Sequence, residues 1–262
     1  MGSATTQART ATAEALASTS GVDLDVAREL FAAVGAVSGS AQLSGALSDS
    51  SVPPAARAGL VSAVFGPSYR PQTVSLLSSA AQQRWSNAGE FIEGLEELAV
   101  QATSVAESAD IESELFAFSR TVASNGELEL ALGGRLGDAS AKSALVSTLL
   151  GGRTSAGTEL IVSSLVGLAR GRRVRALLRR AERIVADQRS RIVATVYTAV
   201  ALNADQQTRL QNALSARYGS AITLNTVIDT SVLGGLRVQV ADDVIDASVS
   251  ARLADLRQRI AG

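Results

Sequence analysis

The feature that most constrains the fold is an internal repeat. Shifted by 85 residues without a gap, the chain falls back onto itself: Glu29-Leu30-Phe31-Ala32 on Glu114-Leu115-Phe116-Ala117, Val37 on Val122, Leu43 on Leu128 and Leu47 on Leu132. The register continues through Arg57 on Lys142, Leu60-Val61-Ser62 on Leu145-Val146-Ser147, Gly66 on Gly151 and Thr73 on Thr158. A match of this length in one register points to duplication of a structural unit. The unit itself reads as helical. Residues 26–37 place Ala27, Leu30, Phe31 and Val34 at helical spacing, and Pro53-Pro54 suit the first turn of a helix carrying Leu60, Val61, Val64 and Phe65 up to Gly66-Pro67. A further helix is expected from Pro71 to Trp85, with Val74, Leu77 and Ala81 inward, and Trp85 anchoring its end.

Composition excludes much chemistry. The 262 residues contain no Cys and no His, which removes thiol nucleophiles, the usual general base and the commonest metal ligands. A catalytic role would fall to carboxylates or to the single Lys142, which follows Ser140-Ala141 instead of a glycine-rich phosphate loop. Neither a catalytic, a metal nor a cofactor site is therefore expected. Lys and Arg number 24 against 25 Asp and Glu, a net charge of −1, which gives no general electrostatic case for nucleic acid or acidic lipid. No apolar run approaches the roughly 18 residues of a membrane span, so no direct membrane insertion is expected.

The second copy ends in a predicted helix over 174–187, with Val174, Leu177, Leu178, Ala181, Ile184 and Val185 inward. Its other face carries Arg175, Arg179, Arg180 and Arg183, just after Arg170-Gly171-Arg172-Arg173. Arg175, Arg179 and Arg180 are candidate interface residues. Two readings stand open: a face docking an acidic protein or RNA, and a face paired with the chain's own acids. Nucleic acid is disfavoured because no stacking aromatics accompany the arginines.

Beyond residue 188 the period changes. A β-branched run over 191–200 predicts a strand, Asn203-Ala204-Asp205-Gln206 a capped helix ending at Gly219, residues 221–228 a second strand and 236–241 a third. Asp242-Asp243 reads as a tight link, and Val249, Leu253, Leu256 and Ile260 mark a closing amphipathic helix with Asp246 placed to cap it. The expected fold is mainly α with a small α+β C-terminal domain: two related helical bundles, 1–92 and 93–187, then a β-α-β-β-α unit over 188–262.

The most specific motif lies in this last unit. Asp229-x-Ser231-x-Leu233-Gly234-Gly235-Leu236-x-Val238, followed by Val244-Ile245-Asp246-x-Ser248-Val249, resembles the C-terminal signature of the F-type ATP synthase delta subunit, the relative of the mitochondrial oligomycin-sensitivity-conferring protein. The resemblance covers about residues 85–262, so the preceding part would be an extra copy of the helical domain, as in long actinobacterial forms. Ala247 stands where the family commonly has Gly. The resemblance implies a non-catalytic stator in the peripheral stalk of a proton-transporting ATP synthase. Its partners would be the N-terminal segment of an alpha subunit and the C-terminal end of the b subunit, at the cytoplasmic face of a bacterial plasma membrane. Asp229, Ser231, Leu233, Gly234, Gly235, Asp246 and Ser248 would then shape the stalk-side domain. From the residues alone, Asp229 and Asp246 read as turn or cap formers and not as a catalytic pair.

Overall fold

The structure, a computed structural model, describes residues 2–134, 138–188, 191–219, 221–232, 234–240, 243–246 and 248. It falls into two compact units, Met1–Val185 and Ala186–Gly262.

The first unit is helical throughout its described residues. Five helices, α1 (Ser3–Ser18), α2 (Leu24–Gly39), α3 (Ala41–Ser48), α4 (Pro54–Phe65) and α5 (Pro71–Gln82), lead into the long α6 (Ala88–Ala106). Then α7 (Ile111–Ser124), α8 (Gly126–Gly133), α9 (Ala139–Leu150), α10 (Ala156–Gly167) and α11 (Val174–Gln188) follow. The 85-residue offset survives in the backbone: α3, α4 and α5 map end for end onto α8, α9 and α10. The start of α1 maps onto that of α6, and the end of α2 onto that of α7. Helix α6 is therefore both the last helix of the first repeat and the first helix of the second. The boundary expected between residues 92 and 93 falls inside it.

Local chemistry explains the starts of these helices. Asp23 accepts from the backbone N–H groups of Asp25 and Val26 at 3.0 Å each, Ser40 from Leu43, Asn87 from Glu90 and Asn125 from Leu128. Pro54 and Pro71 sit in first turns, where their missing donor costs nothing. Helix α6 carries Phe91, Leu95, Leu98, Ala99 and Ala102 among its buried residues and packs against α1, α2, α3, α5 and α10.

One glutamate per repeat ties the second helix to the fifth. Glu29 Oε2 accepts from the Arg70 backbone N–H at 2.9 Å and from Thr73 Oγ1 at 2.5 Å. Eighty-five residues on, Glu114 Oε2 accepts from the Ser155 N–H at 3.0 Å and from Thr158 Oγ1 at 2.5 Å. In each copy a carboxylate takes up one open backbone N–H and a first-turn threonine hydroxyl at a helix N-terminus, a charge-assisted arrangement favoured by the helix dipole.

The helix expected to reach Trp85 stops at Gln82, because Gln83 turns extended and sends the chain back. Trp85 is nonetheless buried, at 4% exposure, with its indole N–H donating to the Ala80 carbonyl at 2.8 Å and its ring edge-on to Phe91.

In the second unit, β1 (Arg191–Thr198) is followed by α12 (Ala204–Tyr218), β2 (Ala221–Ile228), β3 (Leu236–Val240) and β4 (Asp243–Asp246). The sheet order is β2-β1-β3-β4, with β1 and β2 parallel and the other pairs antiparallel. The expected capping box is present: Asn203 Oδ1 accepts from Gln206 N–H, and Gln206 Oε1 accepts from Asn203 N–H. Gly219 closes the helix at φ +67°, a left-handed conformation that glycine adopts freely. Ala194, Val196, Ile222, Val238 and Val240 share one buried face, with Leu214 of α12 in the same core. Ala213, its neighbour in sequence, is exposed.

Strand β4 was not expected. Asp243-Val244-Ile245-Asp246 begins and ends on a residue depleted from strands, so it reads as linker until its pairing with β3 supplies the missing preference. The closing helix expected after it lies outside the described residues.

The packing of Trp85 generates a test. A Cβ on Gly94 of α6 would lie 2.1 Å from the Trp85 ring, whereas one on Gly59 of α4 would meet nothing within 4 Å. Gly94→Ala should therefore destabilise by about 1–3 kcal/mol, lowering Tm by roughly 2–4 °C for each kcal/mol. Gly59→Ala should hold or raise Tm, through helix propensity. Thermal denaturation followed by circular dichroism measures both, and a Gly94→Ala protein as stable as the parent would refute the packing argument.

Candidate functional site

The signature over 229–248 forms a pair of turns around one arginine. Asp229 Oδ1 accepts from Ser231 N–H at 2.9 Å and from Ser231 Oγ at 2.6 Å, while the Asp229 N–H donates to the Thr198 carbonyl at the end of β1. Gly234 and Gly235 follow at φ +68° and +85°, so two successive left-handed residues swing the chain into β3. At the other end, Asp246 Oδ1 accepts from Ser248 N–H at 2.9 Å, and Ser248 is buried. Arg237 of β3 lies opposite Asp246 in the ladder, 3.9 Å from the Asp229 carboxylate and 4.8 Å from the centre of the Tyr197 ring. Leu233 and Ala247 lie outside the described residues.

This geometry positions backbone; it does not present a reacting group. Both carboxylates are turned to neighbouring serines, and hydrogen bonds from those serines hold both pKa values below the ordinary 3.8, with Arg237 a lesser cause. Asp246 ends β4 and closes its turn onto Ser248; the helix it was expected to cap is not among the described residues.

The arginine face resolves differently from residue to residue. Arg175 Nε donates to Glu129 of α8 at 2.9 Å. Arg180 reaches Glu93, Glu96 and Glu97 of α6 at 3.5, 3.6 and 3.3 Å. Of the three candidate interface residues, only Arg179 is exposed. Arg172, outside that set, makes the strongest contact: its two terminal nitrogens grip the Glu96 carboxylate at 2.9 and 2.7 Å. Arg170 adds a third cation at 3.5 Å, held there by a backbone with Arg170 at φ +51° and Gly171 at φ +79°. From the other side, Arg9 of α1 reaches Glu93 and Glu97 at 3.7 and 3.4 Å.

The result is an ionic joint. Three glutamates on one stripe of α6 are clamped by arginines of α1, of α11 and of the turn before α11, and the Glu96 side chain is only 3% exposed. Burying such a carboxylate costs several kcal/mol unless it is paired and hydrogen-bonded, and here it is both. The joint was not legible beforehand: Glu96 and Arg172 are 76 residues apart, and nothing in either segment names the other.

Among the described residues, no group of three or more His, Cys, Asp or Glu is placed to hold a metal. No single described helix is long and apolar enough to cross a membrane.

The turns give a pH test. Because folding lowers the pKa of Asp229 and Asp246 below the unfolded value, their contribution is fully present above about pH 3.9. It is lost as the pH falls through the lowered folded values. The amide signals of Ser231 and Ser248 should titrate with midpoints below 3.8, and midpoints at or above that figure would show that the serines do not hold the carboxylates.

Comparison with known proteins places this architecture. The family described as ATP synthase delta (OSCP) subunit matches residues 97–260. ATP synthase subunit delta of Leifsonia xyli subsp. xyli is 46% identical over 265 aligned residues, covering 100% of both chains. ATP synthase subunit delta of Streptomyces avermitilis is 39% identical, over 95% of this chain and 93% of its own, and that of Nocardia farcinica 35%, over 98% and 97%. The residues before 97 lie outside the family match but inside the alignments with these relatives, so the first repeat is shared with them. Full-length identity at this level, together with the family match over the second repeat and the sheet unit, shows that the chain belongs to the ATP synthase delta (OSCP) subunit family.

Proposed function

We propose that this chain is the stator subunit of a proton-transporting F-type ATP synthase, the non-catalytic link that resists rotor torque on the catalytic head. In this reading the helical part holds the N-terminal segment of an alpha subunit. The sheet unit holds the C-terminal end of b, and the assembly works at the cytoplasmic face of the plasma membrane. The observation that carries the proposal is the full-length likeness to delta subunits. The internal physics supports it. A link under load needs helices locked against one another, and the ionic joint on α6 with its buried Glu96 supplies a lock that must be desolvated and paired at several points. The sheet unit leaves Val200, Ile228 and Val244 exposed at 74, 50 and 54%, apolar surface that suits a partner helix.

The alternative, an adaptor binding an acidic protein or RNA through Arg170–Arg183, loses much of its footing. Arg172, Arg175 and Arg180 are engaged by glutamates of the same chain.

Removing residues 233–262 from the chain in the assembled enzyme should uncouple ATP hydrolysis from proton pumping and release b. Hydrolysis by the detached heads should be unchanged. The double variant Val200→Asp, Ile228→Asp, which alters only exposed positions, should weaken retention of b by about tenfold or more, as loss of a central apolar contact does. Proton pumping by membrane vesicles and retention of b on washed membranes are the readouts, and full coupling in the truncated enzyme would defeat the proposal.

A further inference from the structure

The two repeats part company around the end of their fifth helix. In the first, Arg57 is 3% exposed and its guanidinium donates to the Gln83 carbonyl at 2.7 Å, the Gln82 carbonyl at 3.2 Å and the Val52 carbonyl at 3.3 Å. Trp85 is buried nearby in sequence, and Asp49 lies close enough for Arg57 to lower its pKa, after the larger effects of Ser51. Cation, ring and acid make that region self-sufficient.

At the equivalent positions the second repeat keeps one cation, exchanges the ring for another and loses the acid. Arg57 becomes Lys142 and Trp85 becomes Arg170, while Asp49 becomes Gly134. Ser48, Gln82 and Arg84 become Gly133, Gly167 and Ala169. What remains is a cavity of about 360 Å³ lined by these residues, open to solvent, with the two cations on its wall. Lys142 Nζ donates to the Gly134 carbonyl, one neutral acceptor where Arg57 has three, and no carboxylate stands at position 134 as Asp49 stands in the first repeat. Arg170, at φ +51°, lines the hollow while its guanidinium lies 3.5 Å from Glu96, and burial, reinforced by repulsion from Arg172, pushes its pKa down, with Glu96 and Glu93 offsetting this only in part. An excess of positive charge in a concave, glycine-lined hollow is what an oxyanion needs.

We infer that this hollow of the second repeat, between Lys142, Arg170 and the Gly133-Gly134 turn, is a binding site for a phosphate-class oxyanion, free or as the terminal group of a larger molecule. The external anion supplies the negative charge that Asp49 brings near this region in the first repeat. The glycines and Ala169 provide the room, and Lys142 and Arg170 provide the charge.

The experiment uses the full chain. Isothermal titration calorimetry and thermal denaturation with sodium phosphate, against sodium chloride at matched ionic strength, should show saturable binding and a rise in Tm specific to phosphate. A parallel titration with ATP separates the sources: saturation by both assigns the free ion as sufficient, and saturation by ATP alone assigns the phosphate end of a larger ligand. Lys142→Gln should weaken binding at least tenfold. Gly134→Asp restores the acid of the first repeat at φ −59°, with its Cβ 3.1 Å from the Leu130 carbonyl oxygen, and should abolish binding while the chain stays folded. That second variant keeps the test decisive should Lys142→Gln fail to fold. A phosphate effect no larger than that of matched chloride, with none from ATP, would overturn the inference, as would undiminished affinity in Gly134→Asp.

Discussion

The helical unit depends on the pairing of Glu96. A carboxylate buried to this degree is tolerable only where cations and donors surround it, and Arg172, Arg170 and Arg180 arrive from the end of the second repeat to do so. Arg9 reaches the same helix stripe from the first repeat through Glu93 and Glu97. Helix α6 thus cannot shift against either set of neighbours without exposing unpaired charge. Apolar packing alone is less demanding about register, because a core of Ala, Leu and Val can slide at modest cost, whereas bidentate contacts at 2.7–2.9 Å cannot. In the proposed stator role, this distinction matters more than the total area buried.

Duplication explains both what is shared and what has diverged. Glu29 and Glu114 make the same contacts on the same helix start in each copy, which fixes the angle between the second and fifth helices. At the far end of the fifth helix the copies part: Arg57 is consumed by backbone carbonyls, whereas Lys142 and Arg170 border an open hollow. One copy carries a closed structural corner and the other an open one.

Much of the architecture was legible because it is written locally. Helical spacing of Leu30, Phe31 and Val34, prolines at first turns, the Asn203–Gln206 box and glycine at Gly219 each act within a few residues. The repeat extended this reach by pairing Glu29 with Glu114 and Thr73 with Thr158, although their role as a helix cap required coordinates. The contacts that were not legible are the long-range ones. Glu96 with Arg172, and Trp85 over Gly94, depend on how helices meet, and β4 exists only because β3 offers it a partner. The signature aspartates were readable as turn formers from their D-x-S spacing, yet their convergence on Arg237 and Tyr197 comes from sheet register.

Helix α6 joins the two repeats into one mechanical body, and hydrogen exchange followed by mass spectrometry in increasing urea measures that coupling. If α6 is common to both repeats, peptides from α2, α6 and α10 should lose protection together, with one free energy and one midpoint. Loss of protection in α1 through α5 at distinctly lower urea, while α7 through α10 stay closed, would contradict it.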